Sequence, residues 1–472
     1  MGSQLAPAQA PWDAVPPHEQ LFVLITGANS GIGLSIAERL IDEFLATRSL
    51  KSHLVLLPTT RSKSKSLQTI RALRAYAQRA AQTSTALRSR AGDGYRWQDV
   101  VARVHVLSLQ VDLCDLRGVY AFANRLVHEP LSNPEGLEGE YLRHVRIPRL
   151  DSVVFNAAYG GWSGCNYPAA IWSFLRNGLL QSVTWPTFKN ALPTCILNEG
   201  PQYSYPAKPL LGEVFSACIF GHYILAHELL PLLSRPAEKG SPGRIIWSSS
   251  LEAHWDSLDL SDMQCIRGTA PYESVKRLTD IISLTATSPS TQPYSAPYFT
   301  PDDPQEAEAK PIRPMFYLTH PGIVASTLFP VPWFLIGLYT LVLRLARFLG
   351  SPWHAVDSYT GAKSTAWIVL QEQSALDDLD AERVKWGSGS NRKLEADVKK
   401  TEVDGWGWES KVEDASADKT AGVFNKTVGR KFGSQDVTKE ELVKFEALGV
   451  ESWKKMEELR HEWEKILNIK KL

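Results

Sequence analysis

The sequence predicts an α/β fold with a doubly wound parallel sheet, insertions and a C-terminal helical extension. Six short apolar runs have the length of buried strands, and amphipathic helical patterns separate most of them. The first run ends in a glycine-rich turn that leads into a helix. Alternating strands and helices of this kind imply parallel pairing, with helices on both faces of the sheet. The six runs cover residues 21–26, 53–58, 104–113, 152–158, 243–250 and 315–322.

The composition indicates a large core and argues against several classes of site. The chain has 472 residues, of which 44% are hydrophobic. Its formal net charge is zero, so no overall field attracts nucleic acid. The five cysteines are scattered and form no CxxC pair, which argues against a zinc site and fits a reducing compartment. We therefore expect no metal and no nucleic-acid partner.

The predicted main domain covers residues 21–330 and alternates strands with helices. Three regions lie outside this domain or interrupt the alternation. Residues 1–20 lack the basic and apolar regions of a signal peptide, and we expect a flexible leader. Residues 286–311 are rich in Pro, Ser and Thr, which predicts a disordered insertion before the last strand. Residues 351–472 are highly charged and predict a largely helical extension packed on the same domain. Its final amphipathic helix is expected to break near Gly449.

The glycine-rich turn after the first predicted strand is a candidate phosphate site. Gly27 allows the sharp turn, Gly31 lets the backbone approach a pyrophosphate, and Gly33 lets the helix and the strand pack closely. Ser30 and Ile32 lie between these glycines, where the helix N-terminus presents free N–H groups. The spacing is GxxxGxG and not GxGxxG. The turn therefore predicts binding of a dinucleotide.

The end of the second predicted strand indicates which dinucleotide is bound. An NAD enzyme usually carries Asp or Glu there for the ribose 2′-hydroxyl, and this chain has Arg61 instead. A guanidinium is suited to a 2′-phosphate, so we favour NADP(H); the alternative is an ordinary surface arginine. Asp112 is placed to accept from the adenine amino group and Asn156 to lie near the ribose. Either side chain could instead satisfy backbone groups of a turn.

Tyr272 and Lys276 are four residues apart at the start of a predicted helix, which places them on one face. Hydride delivery to a ketone builds negative charge on its oxygen, so a proton must arrive there. A phenol with a pKa of about 10 holds its proton tightly, and a nearby ammonium lowers that pKa. The pair therefore predicts a proton donor, Tyr272, with Lys276 lowering its pKa.

The glycine turn, Tyr272–Lys276 and Ser250 at the end of the fifth predicted strand together resemble the short-chain dehydrogenase/reductase superfamily. The resemblance covers residues 21–330 and implies a Rossmann-like domain. It implies that Ser250 orients the substrate carbonyl, rather than Ser248 or Ser249, and that Tyr272 and Lys276 also line the cofactor.

Two further segments bear on this resemblance. The sequence around Pro321-Gly322 is similar to the superfamily turn that holds the nicotinamide carboxamide, which implies contacts from Val324 and Ser326. The superfamily usually has an Asn that supports a water relay to the lysine, and Cys218 stands in its place. A thiol is a weak donor and acceptor. Either backbone and water carry the relay, or catalysis is impaired.

Residues 348–354, residues 220–221 and residues 272–277 resemble the fungal 3-keto-sterol reductases of ergosterol synthesis. This resemblance implies NADPH-dependent reduction of a 3-keto sterol to the 3β-alcohol during C4 demethylation. It also implies work beside a C4-methyl oxidase and a C3-dehydrogenase/decarboxylase at the endoplasmic reticulum. The alternatives are a reductase of another lipophilic carbonyl, such as a retinoid or a fatty ketone, and a weakly active scaffold partner. Superfamily members often pair through helices near the active site, so an oligomer is an open expectation.

Residues 328–350 are expected to associate with a membrane. Residues 328–343 carry no charge, and as a helix they would reach about 24 Å, short of a hydrocarbon core of about 30 Å. Arg344 and Arg347 follow at once. We expect the segment to enter one leaflet on the cytoplasmic face of the endoplasmic reticulum, or a lipid droplet; the alternative is a buried core helix. The Arg- and Lys-rich residues 62–100 form either a solvated helix face or a contact with lipid headgroups.

Overall fold

The computed structural model describes residues 7–139, 141–235, 240–301, 311–326, 328–391, 393, 395–412, 429–434 and 436–469. Within these residues the chain contains eleven strands. They are β1 Gln20–Ile25, β2 His53–Thr60, β3 Val104–Val106, β4 Leu109–Gln110, β5 Ser152–Phe155, β6 Trp162–Cys165, β7 Lys189–Ala191, β8 Arg244–Ser248, β9 Met315–His320, β10 Lys385–Ser390 and β11 Ala396–Thr401.

The main sheet has the predicted doubly wound parallel topology. Its order is β3-β2-β1-β5-β8-β9-β10-β11, and all neighbours pair in parallel except β10 with β11. The short strand β4 also pairs with β2, and β6 and β7 form a separate antiparallel hairpin. The winding direction reverses between β1 and β5. Ligands of such sheets bind beyond the carboxyl ends of the strands at this reversal.

Helices cover both faces of the sheet. The helices are α1 Gly31–Thr47, α2 Lys63–Thr83, α3 Thr85–Ala91, α4 Trp97–Val101, α5 Leu116–His128, α6 Tyr167–Thr184, α7 Glu213–Phe215, α8 Gly221–Glu228, α9 Leu230–Leu233, α10 Pro271–Thr285, α11 Gln292–Tyr298, α12 Ile336–Phe348, α13 Ser358–Gly361, α14 Lys363–Leu370, α15 Gln373–Asp378 and α16 Lys439–Leu467. Apolar residues of α1, α2 and α14 form the core on one face, and those of α5, α8, α10 and α16 form the core on the other.

The sheet differs from the prediction at both edges. The run 104–113 is not one strand: it divides into β3 and β4, which pair with different parts of β2. The charged extension is not purely helical, because it contributes β10 and β11. Strand β10 reads KWGSGS and contains no apolar run, although all six of its residues are buried. Its burial comes from packing that the local sequence does not reveal.

Two segments expected to lack structure are packed where the structure describes them. Trp12 of the predicted leader is fully buried, and its ring lies edge-on to Phe22 at 5.6 Å. In the predicted disordered insertion, α11 places Tyr298 against Tyr223, with ring centroids 4.3 Å apart. Aromatic anchoring thus overrides the polar composition in both segments. Residues 1–6 of the leader and 302–310 of the insertion lie outside the described residues.

The last helix is continuous through Gly449, contrary to the expected break. A Cβ atom at position 449 would lie 2.8 Å from the Thr285 side chain, so glycine lets α16 approach α10 closely. Helix α2 has a buried stripe that includes Ile70 and Leu73, while its Arg and Lys side chains point mainly outward. That pattern fits the solvated-face interpretation of this basic segment.

Candidate active site

The glycine turn joins β1 to α1 at the reversal of the sheet and has the shape expected for a phosphate site. Gly27 and Gly31 have φ angles of +64° and +55°, a region that favours glycine. A Cβ at Gly33 would lie 2.5 Å from both the Gly27 carbonyl oxygen and Asn156 Nδ2. Ser30 caps α1 without a side-chain bond to the helix, and Ile32 lines the adjacent cavity. The backbone of this turn is therefore open to an anionic group.

Three predicted nucleotide contacts lie around the turn, and two of them already have protein partners. Asn156 Nδ2 donates to Thr26 O at 3.1 Å, so its amide holds the turn itself. The Asp112 carboxylate accepts from Cys114 N at 3.0 Å and from the Tyr203 hydroxyl at 3.1 Å. Arg61 follows β2 directly and is exposed. Of the three, Arg61 is the side chain most available to a ligand.

The structure brings Ser250 and Tyr272 together at the bottom of a cavity at the carboxyl edge of the sheet. Tyr272 is in the first turn of α10, and its ring packs on Trp162 with centroids 4.5 Å apart. The Ser250 hydroxyl interacts with the Tyr272 hydroxyl and accepts from Glu252 N at 3.2 Å. Ser249 instead donates to the Asp280 carboxylate. Ser250 is thus the member of the serine run that faces Tyr272.

Lys276 does not have the expected effect on Tyr272. Burial raises the pKa of Tyr272 well above its usual value, and the carboxylate of Glu252 raises it further. Lys276 Nζ is 5.5 Å from the centre of the tyrosine ring and donates to the Ser248 carbonyl oxygen at 2.6 Å. Burial also lowers the pKa of Lys276 itself. The energetic cost of burying a phenolate therefore outweighs attraction to this ammonium.

Cys218 lies in a π-helical segment, Ser216–Phe220, that leads into α8. Its Sγ is 3.3 Å from both the backbone N and the backbone O of Tyr159, in the loop after β5. Burial raises the pKa of the thiol, and the positive charge of Lys276 partly offsets this. Cys218 therefore remains a neutral group that holds a loop near Lys276, and it does not replace the hydrogen-bonding capacity of an amide.

The predicted nicotinamide turn follows β9 and is held by the segment that resembles the reductase family. Gly322 has a φ angle of +69°, and a Cβ there would clash with the Trp353 carbonyl oxygen. That oxygen accepts from Ile323 N at 2.7 Å. Val324 and Ser326 line the cavity next to this turn. Residues 348–354 thus have a visible structural role, since they fix the turn that flanks the site.

The cavity above Tyr272 is largely apolar and has a volume of about 340 Å³. We call its charged end, formed by Ser250, Tyr272, Glu252 and Lys189, the pocket floor. The Lys189 ammonium pairs with Glu252 and lies 3.8 Å from the centre of the Trp162 ring. Sequence reasoning missed Lys189, Glu252 and Trp162. The apolar walls include Phe174, Phe188, Leu328, Phe329, Leu338, Tyr339, Val342 and Leu343.

Helices α6 and α12, with the 3-10 turn Trp333–Leu335 that precedes α12, flank the opening of the cavity and expose large apolar side chains. We call this surface the pocket mouth. Exposure reaches 65% for Trp172, 77% for Leu175 and 84% for Trp333. No Asp or Glu occurs in residues 152–198 or 310–356, whereas Arg176 and Arg344 are exposed. The mouth is therefore an apolar surface without acidic residues.

The apolar segment 328–343 is not a single helix, because α12 begins only at Ile336 after a 3-10 turn, Trp333–Leu335. Many of its side chains are exposed, contrary to the alternative of a buried core helix. Among the described residues, no helix combines the length and the apolar character needed to cross a bilayer. Sequence reasoning missed the contribution of α6 to this surface, although its IWSFL run was a visible signal.

Comparison with known proteins identifies the family. A 3-keto-steroid reductase (ERG27) of Gibberella zeae is 73% identical over 474 residues, covering 100% of this chain and 100% of that protein. The chain belongs to the family of fungal 3-keto-steroid reductases. A member from Aspergillus fumigatus is 39% identical over 461 residues, covering 95% of each chain, and one from Saccharomyces cerevisiae is 24% identical over 385 residues, covering 81% of this chain and 89% of that protein. This membership confirms the predicted resemblance and makes the protein a member of an oxidoreductase family.

No family model matches the chain. Among solved structures, salutaridine reductase from Papaver somniferum aligns with a TM-score of 0.36 and 14% identity, covering 75% of this chain and 96% of that one.

Proposed function

We propose that the protein reduces a 3-keto sterol to the 3β-hydroxysterol with NADPH, in the C4 demethylation of sterol biosynthesis. The observation that carries this proposal is the pairing of Ser250 and Tyr272 at the polar end of an otherwise apolar cavity. A sterol is apolar except for its oxygen at C3. The family name of the relatives supports the same substrate class.

The residues around the turn fit a nicotinamide dinucleotide. Gly27, Gly31 and Gly33 shape the turn, and Gly33 leaves a gap that a Cβ would close. When bound, the nicotinamide supplies the hydride.

Arg61 is an exposed cation after β2 and can pair with a 2′-phosphate, which favours NADPH over NADH. An Arg61→Ala variant is expected to raise the KM for NADPH about tenfold and leave the KM for NADH unchanged; equal effects on both would contradict the assignment.

In the proposed reaction, Ser250 donates a hydrogen bond to the substrate carbonyl oxygen and Tyr272 donates the proton. Because its pKa is raised, Tyr272 stays protonated near neutral pH and gives up its proton only when charge develops on that oxygen. Lys276 holds the strand end through the Ser248 carbonyl oxygen. In this proposal it also contacts the cofactor ribose. The apolar walls orient the rest of the substrate by excluding water.

Three assays separate this proposal from its alternatives. The purified protein receives NADPH or NADH with a 4-methyl 3-keto sterol, with retinal or with a fatty ketone, and cofactor oxidation is followed. Oxidation of NADPH with the sterol is expected. Turnover of retinal or the fatty ketone without turnover of the sterol would replace the substrate assignment. If the folded protein binds NADPH but turns over none of the three compounds, the scaffold role would be the alternative that remains.

We also propose that the protein works on the cytoplasmic face of the endoplasmic reticulum or on lipid droplets, beside the other enzymes of C4 demethylation. The pocket mouth supports this, since the elements that expose its tryptophans and leucines also line the substrate cavity. Arg344 and Arg176 lie on the same helices and suit anionic headgroups. A sterol could then pass between bilayer and cavity without crossing water. Cosedimentation with lipid vesicles tests the membrane contact.

A further inference from the structure

A buried ion pair lies beneath the pocket floor and joins α10 to the C-terminal extension. Lys385, the first residue of β10, donates to Asp280 Oδ2 at 2.6 Å. Asp280 is fully buried and Lys385 is 3% exposed. Residues 351–472 lie beyond the region that resembles the reductase superfamily, so this lysine comes from outside the part of the chain in which the catalytic motifs were found.

The pair holds the backbone that presents the catalytic serine. Lys385 Nζ also donates to the Ser250 carbonyl oxygen at 2.7 Å. Asp280 accepts from the Ser249 hydroxyl through its other carboxylate oxygen. Lys276 donates to the carbonyl oxygen of the preceding residue, Ser248. The last residue of β8 and the two residues that follow it are therefore each held by a charged side chain, which leaves the Ser250 hydroxyl directed toward Tyr272.

Stability alone does not explain why these charges are buried. Two ions removed from water lose hydration, and an apolar pair of similar volume often stabilises a fold equally well. Ionic hydrogen bonds are short and directional, and they hold a geometry more tightly than apolar contacts do. Displacement of a reacting group by about 1 Å can cost a hundredfold in rate. We therefore expect the pair to act by fixing the position of the groups it contacts, and not mainly by stabilising the fold.

We infer that Asp280 and Lys385 are positioning residues that hold Ser250 in its reactive geometry, so that the C-terminal extension completes the active site. The inference concerns the site of the proposed reductase and rests on that function. It assigns a part in catalysis to strand β10, whose residues touch neither substrate nor cofactor in the proposed mechanism.

The test removes both charges together, so that neither partner of the pair is left as a charge without the other. The Asp280→Asn/Lys385→Met variant is expected to keep its melting temperature within a few degrees and its KM for the carbonyl substrate within about threefold. Its kcat should fall roughly ten- to a hundredfold. Ser249→Ala removes one contact without changing charge, and a severalfold loss of kcat is expected. This second variant decides the question if the double variant does not fold.

A second buried ion pair supplies the matched control. In α16, Arg460 contacts Glu457 at 2.8 Å, with side chains 3% and 9% exposed, and it also pairs with the buried Glu464, which the control variant leaves in place. The Glu457→Gln/Arg460→Met variant should lose stability and keep its kcat. Unchanged kcat in both site variants, or an equal loss in the control, would overturn the inference. All rates are compared with the wild type on a carbonyl compound that the wild type reduces.

Hydrogen–deuterium exchange over residues 248–252 gives a readout that needs no activity. Faster exchange is expected in the Asp280→Asn/Lys385→Met variant and unchanged exchange in the control. Equal exchange in all three proteins would contradict the inference. If the wild-type protein reduces no carbonyl compound, the proposed function is wrong. The exchange result would still decide whether the pair holds the serine backbone.

Discussion

The pocket floor and the pocket mouth are two ends of one cavity, and they are built in opposite ways. At the floor, Tyr272, Glu252 and Lys189 are largely buried and interact with one another or with nearby residues. At the mouth, α6 and α12 expose apolar side chains with no acidic residue among them. The contrast suits the proposed substrate, whose one small polar group would react at the floor while its large apolar body contacts the walls and the mouth.

The largest expected effect is at the floor. Tyr272→Phe keeps the ring that packs on Trp162 and removes only the hydroxyl that we propose as the proton donor. We expect kcat to fall about 10²- to 10⁴-fold, with little change in NADPH affinity. Steady-state kinetics and a fluorescence titration of NADPH measure the two quantities. A kcat within threefold of wild type would remove Tyr272 from the mechanism.

At the mouth, the expected loss is in membrane binding and not in chemistry. A variant that combines Trp172→Ser, Leu175→Ser, Trp333→Ser and Phe334→Ser loses apolar side chains worth about 2 kcal/mol each when fully buried. Cosedimentation with phosphatidylcholine vesicles containing phosphatidylserine should fall at least tenfold. Its kcat on a water-soluble 3-keto steroid should remain unchanged.

The matched control replaces two exposed apolar residues outside the mouth, by Leu50→Ser and Val443→Ser. It should bind vesicles like the wild type. Unchanged binding by the mouth variant would contradict the proposed membrane contact. A concentration-dependent dimer that only the mouth variant abolishes would show instead that a second copy of the chain covers this surface.

The smallest expected effect is a difference in pH dependence. Burial and the nearby Glu252 raise the pKa of Glu273 from 4.5 to about 7. Because the folded protein then binds this proton more tightly than the unfolded chain, its contribution to stability is complete below about pH 4.5 and is lost as the pH rises through 7. Glu273→Gln should flatten the dependence of the free energy of unfolding on pH in this range. Urea unfolding at several pH values measures it, and an unchanged slope would show that Glu273 does not titrate as described; the mouth variant should keep the wild-type slope.

The parts of the molecule that could be predicted from sequence are those whose signals are local. Strands such as β1 and β8 are apolar runs because both of their faces are buried, and the glycine turn and Tyr272–Lys276 are short motifs. Strand β10 was missed, because its KWGSGS sequence carries no apolar run. Lys189 and Glu252 meet across 63 residues and belong to no motif, so only the folded chain brings them together.

The expected lowering of the Tyr272 pKa by Lys276 is a case in which a local motif was recognised but its surroundings were not predicted. Four-residue spacing does place both residues on one face of α10. The spacing does not predict that the phenol is buried, or that the ammonium contacts the Ser248 carbonyl oxygen. Those depend on β8 and on the cavity walls, which a motif does not describe.

The most direct test of the proposed function follows the hydride itself. The protein is incubated with a 4-methyl 3-keto sterol and NADPH deuterated at the transferable position of C4 of the nicotinamide, and the sterol product is analysed by mass spectrometry and chromatography. We expect a 3β-hydroxysterol one mass unit heavier, with deuterium at C3, and none from Tyr272→Phe in the same time. Recovery of unchanged ketone with folded, NADPH-binding protein, or of a product without deuterium, would contradict it.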